Sequence, residues 1–337
     1  MVDIREIFDV VDLHAGGEPL RLIISGYPPI PGASVLDKRA YLEAHLDHYR
    51  KRLMWEPWGH ADMYGCLLVP PERADSLYGL IFMHNEGYST MCGHATIAVT
   101  KWLVESGQVS LSGGADEVAV RLDVPSGQVE SHARLVSGRV RSVWFENVPS
   151  FAVALDRTVT VRNREIRLDI GFGGAYYAVL DSRQLDLAVE PENVDALRDW
   201  AGAIKAQVEA LGLAHHPLDG RLSGIYGVIF TDVPHRPEHF DRNLTVFADG
   251  QIDRSPCGSC VSTRMAILDA KGAITRDRTY SVESIIDTTF TGRVMGDADP
   301  VGPYPAVRTV IEGSAHVIGF RRFFRNLGDP LEPFFIR

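Results

Sequence analysis

The chain has 337 residues, 45% hydrophobic and 23% charged, with a formal charge of −10 at pH 7. This is the composition of a soluble globular protein, long enough for two domains of ordinary size. The acidic excess argues against nucleic acid and anionic membranes as partners, because both require a basic face.

In chain order, the first stretch, MVDIREIFDVVDLHAGG, mixes acidic with apolar residues and lacks the apolar core of a signal peptide. Residues 5–14 and 20–26 read as short strands joined by the turn HAGGEP. Residues 38–52 have helical periodicity through Tyr41, Leu42, His45, Leu46 and Tyr49. GCLLVP (65–70) and GLIFMH (79–84) are apolar runs bounded by Gly and Pro, and read as strands. Alternating segments across 118–170 predict antiparallel strands. A second long helix is predicted over about 192–212, where Val194, Leu197, Trp200, Ala201, Ile204, Val208 and Leu211 recur at a spacing of three to four. Strands resume at GVIFTDV and LTVFADG, and after a third helix near 279–296 and 306–321. No run approaches the ~18–20 apolar residues of a membrane span. The expected setting is the cytoplasm, where structural disulfides are rare, so the four cysteines read as reactive or buried thiols.

An internal repeat organises the chain. CGHATIAVTKWLVESGQV (92–109) lies over CGSCVSTRMAILDAKGAI (257–274), with Cys-Gly on Cys-Gly and Leu103 on Leu268. Gly107 and Gly272 each stand 15 residues after their cysteine, where a helix C-cap belongs. Each Cys-Gly then opens a helix. The first turn of a helix has free N–H groups and a partial positive charge. Such a site lowers a thiol's pKa toward neutrality and can hold a carboxylate. Gly93 and Gly258 would let a ligand approach the backbone. Two thiols with matching surroundings suit proton removal from one face of a carbon and return to the other.

MCGHATIA (91–98) with DRSPCGS (253–259) resembles the proline racemase family, which includes hydroxyproline 2-epimerases and trans-3-hydroxyproline dehydratases. HAGGEP (14–19), GHADMYG (59–65), GGAYYA (173–178), ESII (283–286) and FTGRV (290–294) support the resemblance over most of the chain. It implies an α/β fold of two pseudo-symmetric halves of diaminopimelate-epimerase type, each a curved sheet around a central helix, with the site in the cleft between them. The halves are expected at 1–165, with 322–337 packed back on it, and 166–321. Carried over by motif, Cys92 and Cys257 would be the two acid–base residues. The N–H groups of Gly93, His94, Gly258 and Ser259 would hold the substrate carboxylate. Asp253, with the His94 side chain, would engage the ring amine. The partner is a small molecule, proline or a hydroxyproline, with no metal or other cofactor. A homodimer is the assembly left open.

Within the family, racemases and epimerases carry Cys at the second catalytic position, whereas the dehydratases usually carry Thr. Cys257 therefore favours inversion at Cα of proline or 4-hydroxyproline, with dehydration of trans-3-hydroxy-L-proline as the alternative. Three positions depart from the family pattern: Cys260 where Gly is frequent, Trp58 where Arg is common, and Asp287 where Gly is common. Two other readings stand beside this one. Cys257 and Cys260 form a C-x-x-C that could be a redox pair, although that leaves Cys92 unexplained. A relative that grips an amino acid without chemistry would not need two thiols. A zinc site lacks a second ligand pair, Cys66 reads as a buried apolar residue, and His235 and His239 read as part of a solvated loop.

Overall fold

The structure is a computed structural model that describes residues 4–111 and 115–336. Its five α-helices are α1 (Val35–Tyr41), α2 (Asp47–Met54), α3 (Gly93–Glu105), α4 (Val194–Glu209) and α5 (Gly258–Ala270). None of its helices is long and apolar enough to cross a membrane.

The strand pairing repeats. The hairpin Ile4–Ala15/Glu18–Ser25 steps in parallel to Tyr64–Val69, which pairs antiparallel with Tyr78–His84. A second parallel step reaches Glu117–Val124, followed by antiparallel Gly127–Val136 and Arg139–Glu146. The same series then recurs. Arg164–Phe172/Tyr176–Asp181 steps in parallel to Ile225–Asp232, which pairs with Asp241–Phe247. That strand steps in parallel to Tyr280–Ser284, followed by Thr289–Val301 and Tyr304–Gly313. Each parallel step needs a crossover. The first is filled by α1 and α2 or by α4, the second by α3 or α5.

The series are tied together by pairing of Tyr304–Gly313 with Arg139–Glu146. Ile4–Ala15 also pairs with Ala315–Asn326, as Arg164–Phe172 pairs with Phe151–Val161. The expected cut at 165/166 falls inside that last hairpin. We propose that the halves meet instead at the loop 147–150, with the closing strand 315–326 returned to the first.

Burial explains why α3 and α5 are central. Ten of the thirteen residues of each are buried, so neither has a solvent face. The amphipathic α4 buries Leu197, Ala201, Ile204 and Val208 and lies outside. Both central helices end alike. Gly107 (φ 77°) and Gly272 (φ 65°) take the left-handed conformation. Gln108 N–H then donates to Leu103 O at 3.0 Å and Ala273 N–H to Leu268 O at 2.8 Å, the six-to-one bond of a Schellman cap.

The helix expected over 38–52 starts earlier and is interrupted. Ser34 and Asp37 form a capping box that opens α1, and a π-helical turn at Leu42–Leu46 separates α1 from α2. The window 279–296 holds parts of two strands, parted by the turn at Ile285–Thr288. Tyr176–Asp181 and Gln251–Asp253 are strands where only sequence motifs were expected.

Candidate active site

The two central helices begin beside one another. A Cβ added to Gly93 would lie 2.5 Å from Gly258 Cα, and one added to Gly258 would lie 2.7 Å from Gly93 Cα. The glycines expected to admit a ligand thus also let the two helix starts approach backbone to backbone. By helix geometry, N–H groups of the first turn have no carbonyl one turn back. The two helix starts therefore bring such N–H groups near one another, a feature able to hold an anion.

Cys92, Gly93, His94, Asp253, Cys257 and Ser259 line one cavity of about 20 Å³. That is room for about one water, far below the ~300–1,000 Å³ typical of ligand sites, so the pocket is closed in this form and a substrate requires it to open. Tyr64, Met91, Tyr177, Tyr226, Thr245 and Phe247 complete its wall. Of the predicted residues only Gly258 is outside this lining, and it abuts Gly93.

Cys92 is the N-cap of α3, and its Sγ accepts from Ala95 N–H at 3.4 Å. His94 Nδ1 lies 3.2 Å from the same sulfur. The thiol's pKa is nonetheless pushed well above its usual range. Burial outweighs the Ala95 N–H and the Tyr64 hydroxyl, which pull it down. The expected lowering toward neutrality is therefore not what this dry pocket produces. Burial likewise drives His94 down to about 3, so its ring is neutral. Asp253 is pushed up to about 6 by burial, against hydrogen bonds from Ser255 Oγ (2.7 Å) and Ser255 N–H (2.8 Å).

Cys257 differs. Its sulfur is joined to Cys260 in a disulfide, with Cα atoms 5.2 Å apart, inside the usual span. The expectation of a free thiol here is corrected for this form of the chain: a C-x-x-C on the first turn of a helix brings its two sulfurs together. Cys66 and Cys92 are free. Thr245 Oγ1 donates to Cys260 Sγ at 3.1 Å, and Ser259 Oγ lies 3.6 Å from Cys257 Sγ. The Ser259 hydroxyl in turn meets Tyr177 OH at 2.9 Å.

Several contributors were not anticipated. Glu18, buried in the HAGGEP turn, accepts from Arg254 N–H (2.8 Å) and Nη1 (3.0 Å), and so fixes the segment next to Asp253. The Tyr64 hydroxyl bonds Ser89 Oγ. Signals existed for Glu18, a lone acid within a glycine turn, and for Tyr177 in GGAYYA. Tyr64 lies within GHADMYG, with no role legible from the motif, and Tyr226 stands just before the strand read as GVIFTDV. The other two departures have structural roles. Trp58 stacks on Phe323 at 5.0 Å and its carbonyl accepts from Arg21 Nη1 at 2.8 Å. Asp287 sits at φ 61° and pairs with Arg242 at 2.6 Å. His235 and His239 are not merely solvated: His235 bonds Asp287 and Glu190, and His239 bonds the buried Glu283.

A fold of two halves around paired helix starts, with a thiol and a carboxylate lining one pocket, is an arrangement able to do acid–base chemistry. The chain belongs to the proline racemase family, whose model matches residues 10–335. It is 42% identical over 333 residues to a trans-3-hydroxy-L-proline dehydratase of Bacillus cereus, covering 99% of both chains. It is also similar to the crystal structure of a hydroxyproline epimerase from Agrobacterium vitis with bound trans-4-OH-L-proline, at 31% identity, TM-score 0.90, 98% of this chain and 96% of that one. A methylitaconate-delta-isomerase shares the fold alone, at 11% identity and TM-score 0.56 over 98% of this chain and 99% of that one.

Proposed function

We propose that the protein is a trans-3-hydroxy-L-proline dehydratase that uses Cys92 as its base. The carrying observation is the asymmetry of the pocket: Cys92 is a free thiol capped by a helix N–H, while Cys257 is bonded to Cys260. That arrangement supports a reaction that needs one base. The likeness to the Bacillus cereus dehydratase supports the same reading over the inversion favoured from Cys257 alone.

In this reading the amides of Gly93, His94, Gly258 and Ser259 hold the carboxylate, and the Asp253 carboxylate holds the ring ammonium. The incoming cation lowers the pKa of the Cys92 thiol in the water-poor pocket. The thiolate takes the α-proton, and the developing negative charge spreads onto a carboxylate already held by N–H groups. In the trans-3-hydroxy-L isomer the α-hydrogen and the 3-hydroxyl lie on the same face of the ring. The Cys92 S–H formed there can hand its proton to the departing hydroxide. The C3–O bond breaks, water leaves, and the enamine tautomerises to a cyclic imine. Base, anion cradle and ammonium partner all come from this chain, so the reading calls on no cofactor.

Proton NMR in D2O tests this with trans-3-hydroxy-L-proline and trans-4-hydroxy-L-proline, each separately, with and without dithiothreitol. Loss of the 3-hydroxy compound with growth of cyclic-imine signals is expected. An unchanged 3-hydroxy compound, with the 4-hydroxy compound converted to its 2-epimer, would overturn it in favour of inversion. That second reading draws on Cys257, which lines the same cavity as Cys92 and becomes a second acid–base thiol when reduced.

A further inference from the structure

We propose that Cys257 and Cys260 are a reversible thiol–disulfide site in the wall of the pocket, oxidised by hydroperoxides, and that forming the bond removes the second thiol while leaving Cys92 able to work. The observations are independent of the dehydration chemistry. The Cα atoms are 5.2 Å apart, a separation a disulfide spans without backbone movement. Both residues stand at the start of α5, which places their side chains on one turn. Cys257 lines the cavity and is 7% exposed, whereas Cys260 is fully buried behind it. A molecule the size of hydrogen peroxide entering the cavity therefore meets Cys257 first, and Cys260 is the resolving thiol. The Thr245 hydroxyl at 3.1 Å supports negative charge on the Cys260 sulfur. Cys92 has no such partner, because the other remaining cysteine, Cys66, is buried in the sheet.

The chemistry balances in two steps. The Cys257 thiolate attacks one peroxide oxygen and the O–O bond breaks. The second oxygen leaves as hydroxide and becomes water on taking the thiol's proton, which leaves a sulfenic acid. The Cys260 sulfur then attacks that sulfur, the S–O bond breaks, and the hydroxide leaves as a second water with the Cys260 proton. The two sulfurs together give two electrons to the peroxide, and a dithiol returns them.

The sequence supplies a clean readout. Cleavage after Arg254 and Arg264 places both cysteines in one peptide, Ser255–Arg264. The full chain is reduced in dithiothreitol, freed of it, treated with one equivalent of hydrogen peroxide, quenched in acid and alkylated with iodoacetamide. The expected peptide is two hydrogens lighter and carries no alkyl group; the reduced control carries two. A peptide alkylated at both positions after peroxide would overturn the site. In Cys260→Ser the sulfenic acid has no resolving thiol and proceeds to sulfinic acid, so recovery of thiol at Cys257 in dithiothreitol falls roughly tenfold or more. Recovery equal to wild type would also overturn it.

The statement about Cys92 rests on the proposed dehydration. The rate with trans-3-hydroxy-L-proline is expected to stay within about twofold as the linked fraction of the peptide rises. A rate that falls in proportion to that fraction and returns with dithiothreitol would overturn the independence of Cys92. A reduced chain that dehydrates nothing counts against the reading of function, while the peptide still decides the redox site.

Discussion

The starts of α3 and α5 hold the same Cys-Gly in the same place of two equivalent halves, yet they are built differently. Cys92 enters α3 from extended backbone (φ −149°, ψ 112°), and its sulfur caps the helix by accepting Ala95 N–H. Cys257 enters α5 from the left-handed region (φ 60°), and its side chain caps nothing. One sulfur has a hydrogen-bond donor ready for its thiolate, and the other has a second sulfur. The difference teaches that two helix starts alike in sequence and close in space can give their sulfurs different partners, which is what the proposed one-base reaction draws on.

The largest effects should come from the thiols themselves. Cys92→Ser is expected to lower kcat for dehydration by about 10²–10⁴-fold, the usual loss on removing a general base, whereas Cys257→Ser should lower it by less than tenfold. Single-turnover rates with trans-3-hydroxy-L-proline measure both. Equal losses would erase the distinction between the two helix starts.

Asp253 sharpens the comparison through pH. Its carboxyl, at about 6, must be ionised to hold a ring ammonium. The kcat/KM profile should therefore rise with pH through about 6, and Asp253→Asn should lose that limb. His94, at about 3, adds no limb of its own in this range. The sign for stability is opposite. The folded-state pKa lies above the ordinary value of 3.8, so the protonated carboxyl favours the folded state. That contribution is complete below about 4 and is lost as pH rises through about 6. Urea melts of wild type and Asp253→Asn between pH 4 and 7 should converge at the acid end.

The glycines at the contact test the shared part. A Cβ at Gly93 or Gly258 meets the other helix's backbone, which cannot rotate away as a side chain would. Either Gly→Ala change is expected to cost about 1–3 kcal/mol, the range for overpacking, and to lower activity by moving both cradles. Thermal melts that show no shift would mean the helix starts can separate freely.

How much of this was legible beforehand follows from what each signal encodes. The repeat could be read because Leu103 and Leu268, with Gly107 and Gly272, mark one cap geometry twice. The pocket's lining was legible at Cys92, His94 and Asp253 because a thiol, an imidazole and a carboxylate flanking a helix start are chemically unusual. Tyr226 was hidden because a buried aromatic on a strand looks the same whether it faces core or cavity; Tyr64 was visible within GHADMYG, but nothing in the motif says where its ring points. The π turn at Leu42–Leu46 was hidden because it inserts a residue without changing the apolar pattern. The pKa of Cys92 was misjudged because a helix start predicts only the sign of its local field. Burial, which decides the outcome, depends on residues from several distant strands.

The smallest contrast is between the phenols on the two sides. The Tyr64 hydroxyl helps hold down the pKa of Cys92, while the Tyr177 hydroxyl reaches Ser259 on the α5 side. Tyr64→Phe removes a donor from the thiolate that does the work. It should slow dehydration several-fold, by the ~1 kcal/mol of a typical hydrogen bond, and move the alkaline rise of the rate to higher pH. Tyr177→Phe removes a bond that supports Ser259, two residues from a sulfur not used as the base, so the rate should change by less than twofold. Its cost should appear instead as about 0.5–1.5 kcal/mol of stability. Stopped-flow rates across pH, set beside denaturant melts, separate the two. The reverse pattern, with Tyr177 governing the rate, would place the working base at the start of α5.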